Sequence, residues 1–374
     1  MKIQFCAFAA AALLLASCNG DDETTREPLP IPSAYEGVNY GANTTVENSV
    51  LTNLKSQVTV AKLGRNPGVV VELAALEAPY LAGAPSLSDV STNYFVGKME
   101  GPAGYMNELA NSSGNTYTPG DLTGEGGVYG AYLFDETGLE MEQLIEKGQF
   151  GAVLYNHFTA LITGPVSVET TDRMVAIFGA HPTFPNTNNA VNAEFPDQFM
   201  ANYAARRDKA DGNGLYTQMK NNFIKLQAAV KAGSVYDTEK QEAIDALKIT
   251  WEQINAATVI NYCHGATSAL SESDPSDDQK AGAFHSIGEA IGFIHGWKTI
   301  PSGAKLITDA EIDETLVLLN APADTPSTVY TFATDALNQL PQLQAVISKL
   351  QDIYGFTDQQ VDDFRSNWVT VQGR

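Results

Sequence analysis

The stretch that decides the fold is residues 276–297, which read SDDQKAGAFHSIGEAIGFIHGW. Ser276 followed three residues later by Gln279 is a capping box, a pattern in which two side chains and two backbone N–H groups bond reciprocally at a helix start. Asp277 and Asp278 then fall in the first turn, where the helix dipole favours negative charge. The sequence therefore predicts a helix that begins directly after Ser276.

One face of this predicted helix is lined with glycines. At 3.6 residues per turn, Gly292 and Gly296 follow each other on one side, with Gly288 close beside them. A glycine costs a helix interior about 1 kcal/mol relative to alanine, so glycines at this spacing need a physical reason. The usual reason is the close approach of a second helix. The opposite side is also apolar, which is typical of a buried helix.

Two ionisable side chains, His285 and Glu289, lie on the glycine face, one turn apart. They could form a buried polar pair that fixes the register of the helix. They could instead supply two ligands of a metal site, an imidazole nitrogen and a carboxylate oxygen. The spacing is compatible with both interpretations.

The N-terminal residues have the pattern of an export signal. Met1 and Lys2 precede an apolar run that ends at Ala16 and is shorter than the roughly 20 residues of a membrane-spanning helix. The run ends in Leu-Ala-Ser-Cys, which looks like a bacterial lipobox with Cys18 as the lipidated residue. The alternative is an ordinary signal peptide with a chance cysteine. We predict a lipoprotein signal peptide at 1–17.

An acidic and proline-rich segment follows at 18–34. Asp21, Asp22 and Glu23 resemble the surface-export signal of Bacteroidetes lipoproteins, and the alternative is a solvated tether without a sorting role. The pattern predicts a protein attached to the outer membrane through its lipid and exposed at the cell surface. The rest of the chain, 35–374, is predicted to be a single domain.

The composition limits the possible partners. The chain has 22 basic and 44 acidic residues and a formal net charge of −22, which argues against nucleic acid as a partner. Cys6 leaves with the signal and Cys18 is lipidated, so Cys263 is the single remaining thiol and no disulfide is predicted within the mature chain.

Apolar residues at helical spacing dominate the domain, and few segments alternate with period two. The fold class predicted is all-α, with adjacent helices packed antiparallel as bundles. Residues 79–130 are rich in Gly, Ser, Asn and Pro and are predicted to form a long irregular excursion, of a length that is usually functional or mobile. The predicted helices are 46–63, 69–78, 138–163, 170–178, 195–207, 215–232, 238–270, 276–297, 309–319, 327–350 with a break at Pro341, and 358–369.

The helix predicted from residue 138 carries further candidates. Glu140 and Gln143 are three residues apart near its start and could add ligands to a site, although the helix dipole explains a first-turn acid equally well. Glu142 and Glu146 are like charges one turn apart, which repel unless they are exposed or bridged by a cation. We predict that they are exposed. His157 shares a face with apolar residues and is predicted to be a core histidine.

Two strings carry a family resemblance. GLEMEQLIEKGQFGA at 138–152 and AFHSIGEA at 283–290 resemble two signatures of domain-of-unknown-function family 4856. This family is similar to the imelysin-like group of bacterial envelope proteins, whose members carry a His and a Glu on one helix and are linked with iron uptake and with peptidase activity. The resemblance implies imelysin-like helical bundles and a metal site, for which His285, Glu289, Glu140 and Gln143 are the candidates.

Three functions follow as hypotheses. The first, which we favour, is a non-enzymatic lipoprotein that binds a metal ion, iron above all, or a metal complex and works with a TonB-dependent receptor. The second is a metallopeptidase, which needs a third ligand and an open position for water that the sequence does not reveal. The third is a glycan-binding lipoprotein that uses exposed aromatic rings between Tyr94 and Tyr129.

Overall fold

Helices form most of the chain in the computed structural model, which describes residues 26–374. The predicted signal peptide, Cys18, Asp21, Asp22 and Glu23 lie outside the described residues. The first half of the domain contains α1 Tyr40–Asn43, α2 Thr45–Leu63, α3 Leu73–Tyr80, α4 Leu87–Val90, α5 Asn93–Met99, α6 Tyr105–Ser112, α7 Met141–Gln149, α8 Asn156–Leu161 and α9 Val168–Phe178. The second half contains α10 Phe199–Arg207, α11 Leu215–Ala232, α12 Asp237–Leu270, α13 Asp277–His295, α14 Asp309–Leu318, α15 Thr331–Thr334, α16 Ala336–Tyr354, α17 Asp358–Asp363 and α18 Trp368–Gln372.

The sheet content of the described residues is one small hairpin. Strands β1 Gly127–Tyr129 and β2 Tyr132–Phe134 pair antiparallel, with Val128 opposite Leu133. Gly130 occupies the turn with φ +57°, a left-handed conformation that glycine adopts without a steric penalty. The predicted all-α class is therefore confirmed. Within residues 26–374, no helix has both the length and the apolar character that crossing a membrane requires.

The long helix α12 is the centre of the packing. It contacts α11, α13 and α16, and α13 packs in turn against α7. Large side chains on these helices, such as Trp251 on α12 and Phe284 on α13, are fully buried. Burial of this apolar surface is the main driving force for assembly, at roughly 25 cal/mol per Å².

Helix α13 has the start and the close contact that its sequence predicts. The Ser276 hydroxyl accepts from the Gln279 N–H, and the Gln279 side chain accepts from the Ser276 N–H, which completes the capping box. A Cβ added at Gly292 would lie 2.5 Å from the carbonyl oxygen of Gln143 on α7. A Cβ added at Gly296 would collide with the carbonyl group of Gly148, also on α7. The glycines therefore allow two helix backbones to approach closely.

The helix predicted at 138–163 is continuous but not uniform. Between α7 and α8 the segment Phe150–Tyr155 is π-helical and fully buried. A Cβ added at Gly151 would lie 2.7 Å from the carbonyl carbon of Gly296, so this turn also packs against the end of α13. Widened turns of this kind accommodate an extra residue within an otherwise regular helix.

Three expectations about local structure differ from what is found. The excursion at 79–130 is largely irregular but contains α4, α5 and α6, each of at most eight residues. Pro341 lies in the second turn of α16 without ending it, since the loss of one backbone hydrogen bond is tolerated there, and the chain bends instead at Asp335. The segment predicted as one helix at 358–369 forms two, α17 and α18.

Candidate functional site

The predicted ligands from α7 and α13 meet where these helices touch. Nδ1 of His285 lies 2.7 Å from Oε2 of Glu140, the residue that precedes α7. Nε2 of His285 lies 3.5 Å from Oε2 of Glu289. Glu140 is fully buried, whereas the side chain of His285 retains 21% exposure. The imidazole thus bridges two carboxylates near the protein surface.

Gln143, the fourth predicted ligand, lies at the same contact. A Cβ added at Gly288 would lie 3.6 Å from the Cβ of Gln143 and 3.3 Å from that of Glu140. Nε2 of Gln143 donates to Glu142 at 3.2 Å, while its Oε1 atom is buried without a hydrogen-bond partner. A buried acceptor that lacks a donor costs about 1–3 kcal/mol. The Gln143 oxygen is therefore available to a donor or a cation.

Sequence reasoning missed Arg65 and Tyr132, which contact the predicted ligands from distant parts of the chain. Arg65, in the turn after α2, donates to Glu140 at 3.0 Å and to both carboxylate oxygens of Glu142, at 2.9 Å for Oε1. The ring of Tyr132 on β2 stacks on His285, with centroids 4.2 Å apart and planes at 11°. The guanidinium of Arg65 covers Tyr132 at 4.9 Å. Neither residue carries a local signal, because both reach the cluster from distant turns and strands.

The glutamates of α7 are bridged by cations rather than exposed. Glu142 is only 1% exposed, so its predicted exposure is wrong. The ammonium of Lys147 lies 2.8 Å from Glu146 and 3.3 Å from Oε1 of Glu289. Lys62 on α2 approaches Glu142 at 4.0 Å and Glu146 at 3.8 Å. The like charges are tolerated because Lys62, Arg65 and Lys147 place cations beside them.

We call this group the carboxylate-rich cluster, and its charges do not balance. Its members are Lys62, Arg65, Glu140, Glu142, Gln143, Glu146, Lys147, His285 and Glu289. With neutral His285, four carboxylates face three permanent cations. Burial, followed by the charge of Glu140, raises the pKa of Glu142 to about 7. Burial opposes protonation of His285, but Glu140 outweighs it and raises the pKa of that imidazole. The cluster therefore favours one additional positive charge.

The geometry sets the coordination that is possible here. Within residues 26–374, no three His, Cys, Asp or Glu side chains are arranged to share a metal ion. Nε2 of His285 and Oε2 of Glu289 lie 3.5 Å apart, and the buried amide oxygen of Gln143 at the same helix contact has no hydrogen-bond partner. Glu140 fits the supporting role of a carboxylate that holds the opposite imidazole nitrogen as a donor and thereby orients the ring.

A second Arg–Glu–His group lies elsewhere in the core, and we call it the balanced cluster. Its members are Glu47 on α2, His157 on α8 and Arg173 on α9. Oε1 of Glu47 lies 2.9 Å from Nε2 of His157 and 2.8 Å from Nε of Arg173. The predicted burial of His157 is confirmed, and its partner is a fully buried carboxylate.

The aromatic residues expected to bind sugars are used inside the fold. Tyr94 and Tyr105 contact the two ring nitrogens of His295 at 2.8 and 2.6 Å. Tyr129 donates to Asp277 at 2.8 Å, and Tyr117 is only 6% exposed. Burial, followed by the positive charges of Lys98 and Lys298, lowers the pKa of His295 to about 3. The expectation of exposed rings in this loop is therefore wrong.

Comparison with known proteins gives one match. No curated protein and no solved structure matches the chain. The model of a family described as "Domain of unknown function (DUF4856)" matches residues 177–357. The matched part contains α13 with His285 and Glu289, while Glu140 and Gln143 precede it. This match supports the resemblance to domain-of-unknown-function family 4856 over residues 177–357.

Proposed function

We propose that this protein is an outer-membrane lipoprotein that binds a metal ion or metal complex, with iron as the expected cargo, and works with a TonB-dependent receptor. Its ligands in the carboxylate-rich cluster are His285, Glu289 and Gln143. Glu140 orients the imidazole from the opposite side. The resemblance to envelope proteins of iron uptake motivates the choice of cargo.

The observation that carries this proposal is that the two nitrogens of His285 have different partners. Glu140 engages Nδ1 at 2.7 Å, which leaves the Nε2 lone pair of a neutral ring directed to Glu289. The two oxygens of Glu289 are divided in the same way. Its Oε1 lies 3.3 Å from Lys147 and 3.5 Å from the hydroxyl of Tyr203, while its Oε2 faces the imidazole. In each of the two side chains, one polar atom is held by the protein and the second atom is free to bind the metal.

Charge and hydrogen bonding support a cation at this point. The cluster has one more carboxylate than permanent cations, and the buried amide oxygen of Gln143 has no donor. Carboxylate, amide and imidazole groups together suit divalent first-row metals. Lys147 competes with a bound cation for the carboxylate of Glu289. The cation therefore binds most tightly if Lys147 pairs with Glu146 alone, which is its closer partner at 2.8 Å.

Calorimetric titration of the mature chain with Fe²⁺, Fe³⁺, Zn²⁺ and Ca²⁺ tests the site. We expect His285→Ala and Glu289→Gln each to weaken binding by at least about tenfold, and Glu140→Gln to weaken it by about 10–100-fold through loss of ring orientation. The matched control is His157→Ala in the balanced cluster, which should leave affinity unchanged. Absence of binding to the wild-type chain, or full binding by the His285→Ala, Glu289→Gln double variant, would refute the proposed site.

The location is tested separately. Cys18→Ser should prevent lipidation and release the protein from the membrane fraction, because one thiol carries the whole anchor. Changing Asp21, Asp22 and Glu23 to alanine should protect the lipidated protein from protease added to intact cells. Membrane-bound Cys18→Ser protein would count against the anchor, and unchanged protease sensitivity would count against the acidic export signal.

A further inference from the structure

A cleft that shares no lining residue with the carboxylate-rich cluster lies between α1–α2 and the segment 179–199. Its volume is about 650 Å³, and it is lined on one side by Tyr40, Asn48 and Lys55 and on the other by His181 and Phe195. Clefts of about 300–1,000 Å³ are typical of small-molecule sites. Neither Arg–Glu–His cluster contributes a side chain to its lining.

The cleft contains a stacked aromatic platform. The rings of His181 and Phe195 lie parallel, with centroids 4.1 Å apart and planes at 15°, and Tyr40 contacts His181 edge-on at 5.6 Å. Phe195 is 47% exposed and is the one aromatic among the exposed large hydrophobic side chains of residues 26–374. His181 supports one face of Phe195, and the exposed part of the ring is open to a ligand.

The backbone holds this platform in place. Gln198 donates its N–H to the Gly179 carbonyl at 2.9 Å, so the two ends of the segment that carries His181 and Phe195 are tied together. Phe199 has φ +45°, a strained conformation for a bulky residue, and Gly179 has φ +93°. Strain of this kind persists only where the surroundings enforce it and is concentrated at functional sites.

Polar groups of different types surround the platform. Lys55 and Glu194 bring one charge of each sign, and Asn48 adds an amide. The Thr183 N–H donates to Nδ1 of His181 at 3.3 Å, which places the proton of the neutral ring on Nε2. The rim thus offers a cationic donor, an anionic acceptor, an amide that does both, and an imidazole N–H.

We propose that this cleft is a carbohydrate site in which one pyranose ring packs on Phe195. The C–H face of a pyranose is slightly positive and fits the negative face of an aromatic ring. Each sugar hydroxyl both donates and accepts a hydrogen bond, which matches the mixed rim of Lys55, Glu194 and Asn48. An anionic ligand would face Glu194 and a cationic ligand would face Lys55, so the balanced rim selects a neutral, polyhydroxylated ligand.

Calorimetric titration with five hexasaccharides tests this site: α-1,4-glucose, β-1,4-glucose, β-1,4-xylose, α-1,6-mannose and β-1,4-N-acetylglucosamine. At least one should bind, and Phe195→Ala should weaken it about tenfold or more, the loss expected from removing one stacking partner. The matched control is Val191→Ala, because Val191 lies in the same segment, is 91% exposed and is not part of the cleft lining. Its affinity should equal that of the wild type.

A second variant fills the cleft instead of removing the platform. An added Cβ at Gly41, which lines the cleft, meets no atom within 4 Å, so Gly41→Leu should fold and reduce sugar binding about tenfold or more. His285→Ala should leave sugar binding unchanged, which separates this site from the proposed metal site. Failure of all five sugars to bind, or wild-type binding by both Phe195→Ala and Gly41→Leu, would overturn the proposal.

Discussion

The balanced and carboxylate-rich clusters use the same three residue types in different surroundings. In the balanced cluster, Glu47 is fully buried and pairs with both Arg173 and His157. In the carboxylate-rich cluster, Glu140 likewise pairs with both Arg65, at 3.0 Å, and His285, at 2.7 Å. The second cluster adds three further carboxylates and only two further cations.

The comparison shows which features separate a structural cluster from a candidate site. An acceptor without a partner does not separate them, since Oε2 of Glu47 and Oε1 of Gln143 are both buried and unbonded. The two clusters are separated by their access to solvent and by their net charge. The side chain of His285 is 21% exposed against 10% for His157, and only its cluster has surplus negative charge. An Arg–Glu–His group is therefore a site only where a ligand can reach it and is attracted by it.

The largest effect is expected from the glycines that bring α7 and α13 together. Gly292→Leu places a side chain where even a Cβ would lie 2.5 Å from the Gln143 carbonyl oxygen. Since that contact is backbone and cannot rotate away, we expect the free energy of unfolding to fall by at least about 3 kcal/mol. Urea denaturation measures this change.

The same helix supplies the control. Gly282 on α13 has no atom within 4 Å of an added Cβ, so Gly282→Leu should be neutral or stabilising by up to about 1 kcal/mol from improved helix propensity. Equal unfolding free energies for Gly282→Leu and Gly292→Leu would contradict the close approach of α7. The balanced cluster, which does not involve α13, should keep its contacts in both variants.

The sequence predicted the helix and its contact face but could not supply the partners. The capping box at Ser276 and the glycines at Gly292 and Gly296 are local patterns with one physical explanation each, so they could be read directly. Arg65 and Tyr132 lie 220 and 153 residues before His285 and reach it only through the tertiary fold. No local pattern specifies such a pairing.

The errors have physical reasons of the same kind. Glu142 and Glu146 have the spacing of an exposed helix face, and the cations of Lys62, Arg65 and Lys147 make their low exposure tolerable. Strands β1 and β2 have three residues each, too few to establish an alternating pattern. Side chains in the loop from Tyr94 to Tyr129 look available in sequence, yet His295 and Asp277 bind three of them.

A smaller effect on the free energy of unfolding is expected when one carboxylate of each cluster is replaced by an amide, and its size should differ between the clusters. Glu47→Gln leaves Arg173 and His157 without a carboxylate, because Glu47 is the acid that pairs with both in the described chain. We expect a loss of about 3 kcal/mol in the free energy of unfolding, as is usual when a buried pair is broken from one side.

Glu289→Gln should cost less, about 1 kcal/mol, because Lys147 keeps Glu146 at 2.8 Å and the contacts of Glu289 are long, 3.3 Å to Lys147 and 3.5 Å to the Tyr203 hydroxyl. Thermal and urea unfolding of both variants in the absence of metal measures the difference. A larger loss for Glu289→Gln than for Glu47→Gln would mean that the carboxylate-rich cluster, too, mainly stabilises the fold.

The last and smallest effect is the pH dependence of the metal-free protein, to which Glu142 and Glu47, one from each cluster, should contribute with opposite signs. Burial and the charge of Glu140 raise the pKa of Glu142 from 4.5 to about 7, so between these values the folded state holds a proton that the unfolded state has released. The stability that Glu142 contributes therefore falls as pH rises, by at most about 1.4 kcal/mol per pH unit.

Burial alone would raise the pKa of Glu47, but its hydrogen bonds to His157 and Arg173 outweigh burial and lower the pKa below 4.5. Its contribution is present above 4.5 and is lost as pH falls through the folded-state pKa. Urea unfolding from pH 3.5 to 8 after EDTA treatment should show that Glu142→Gln flattens the decline between pH 4.5 and 7, whereas Glu47→Gln flattens the loss at acid pH. An unchanged profile for Glu142→Gln between pH 5 and 7 would show that the surplus negative charge is already neutralised, and the contrast between the clusters would then rest on access to solvent alone.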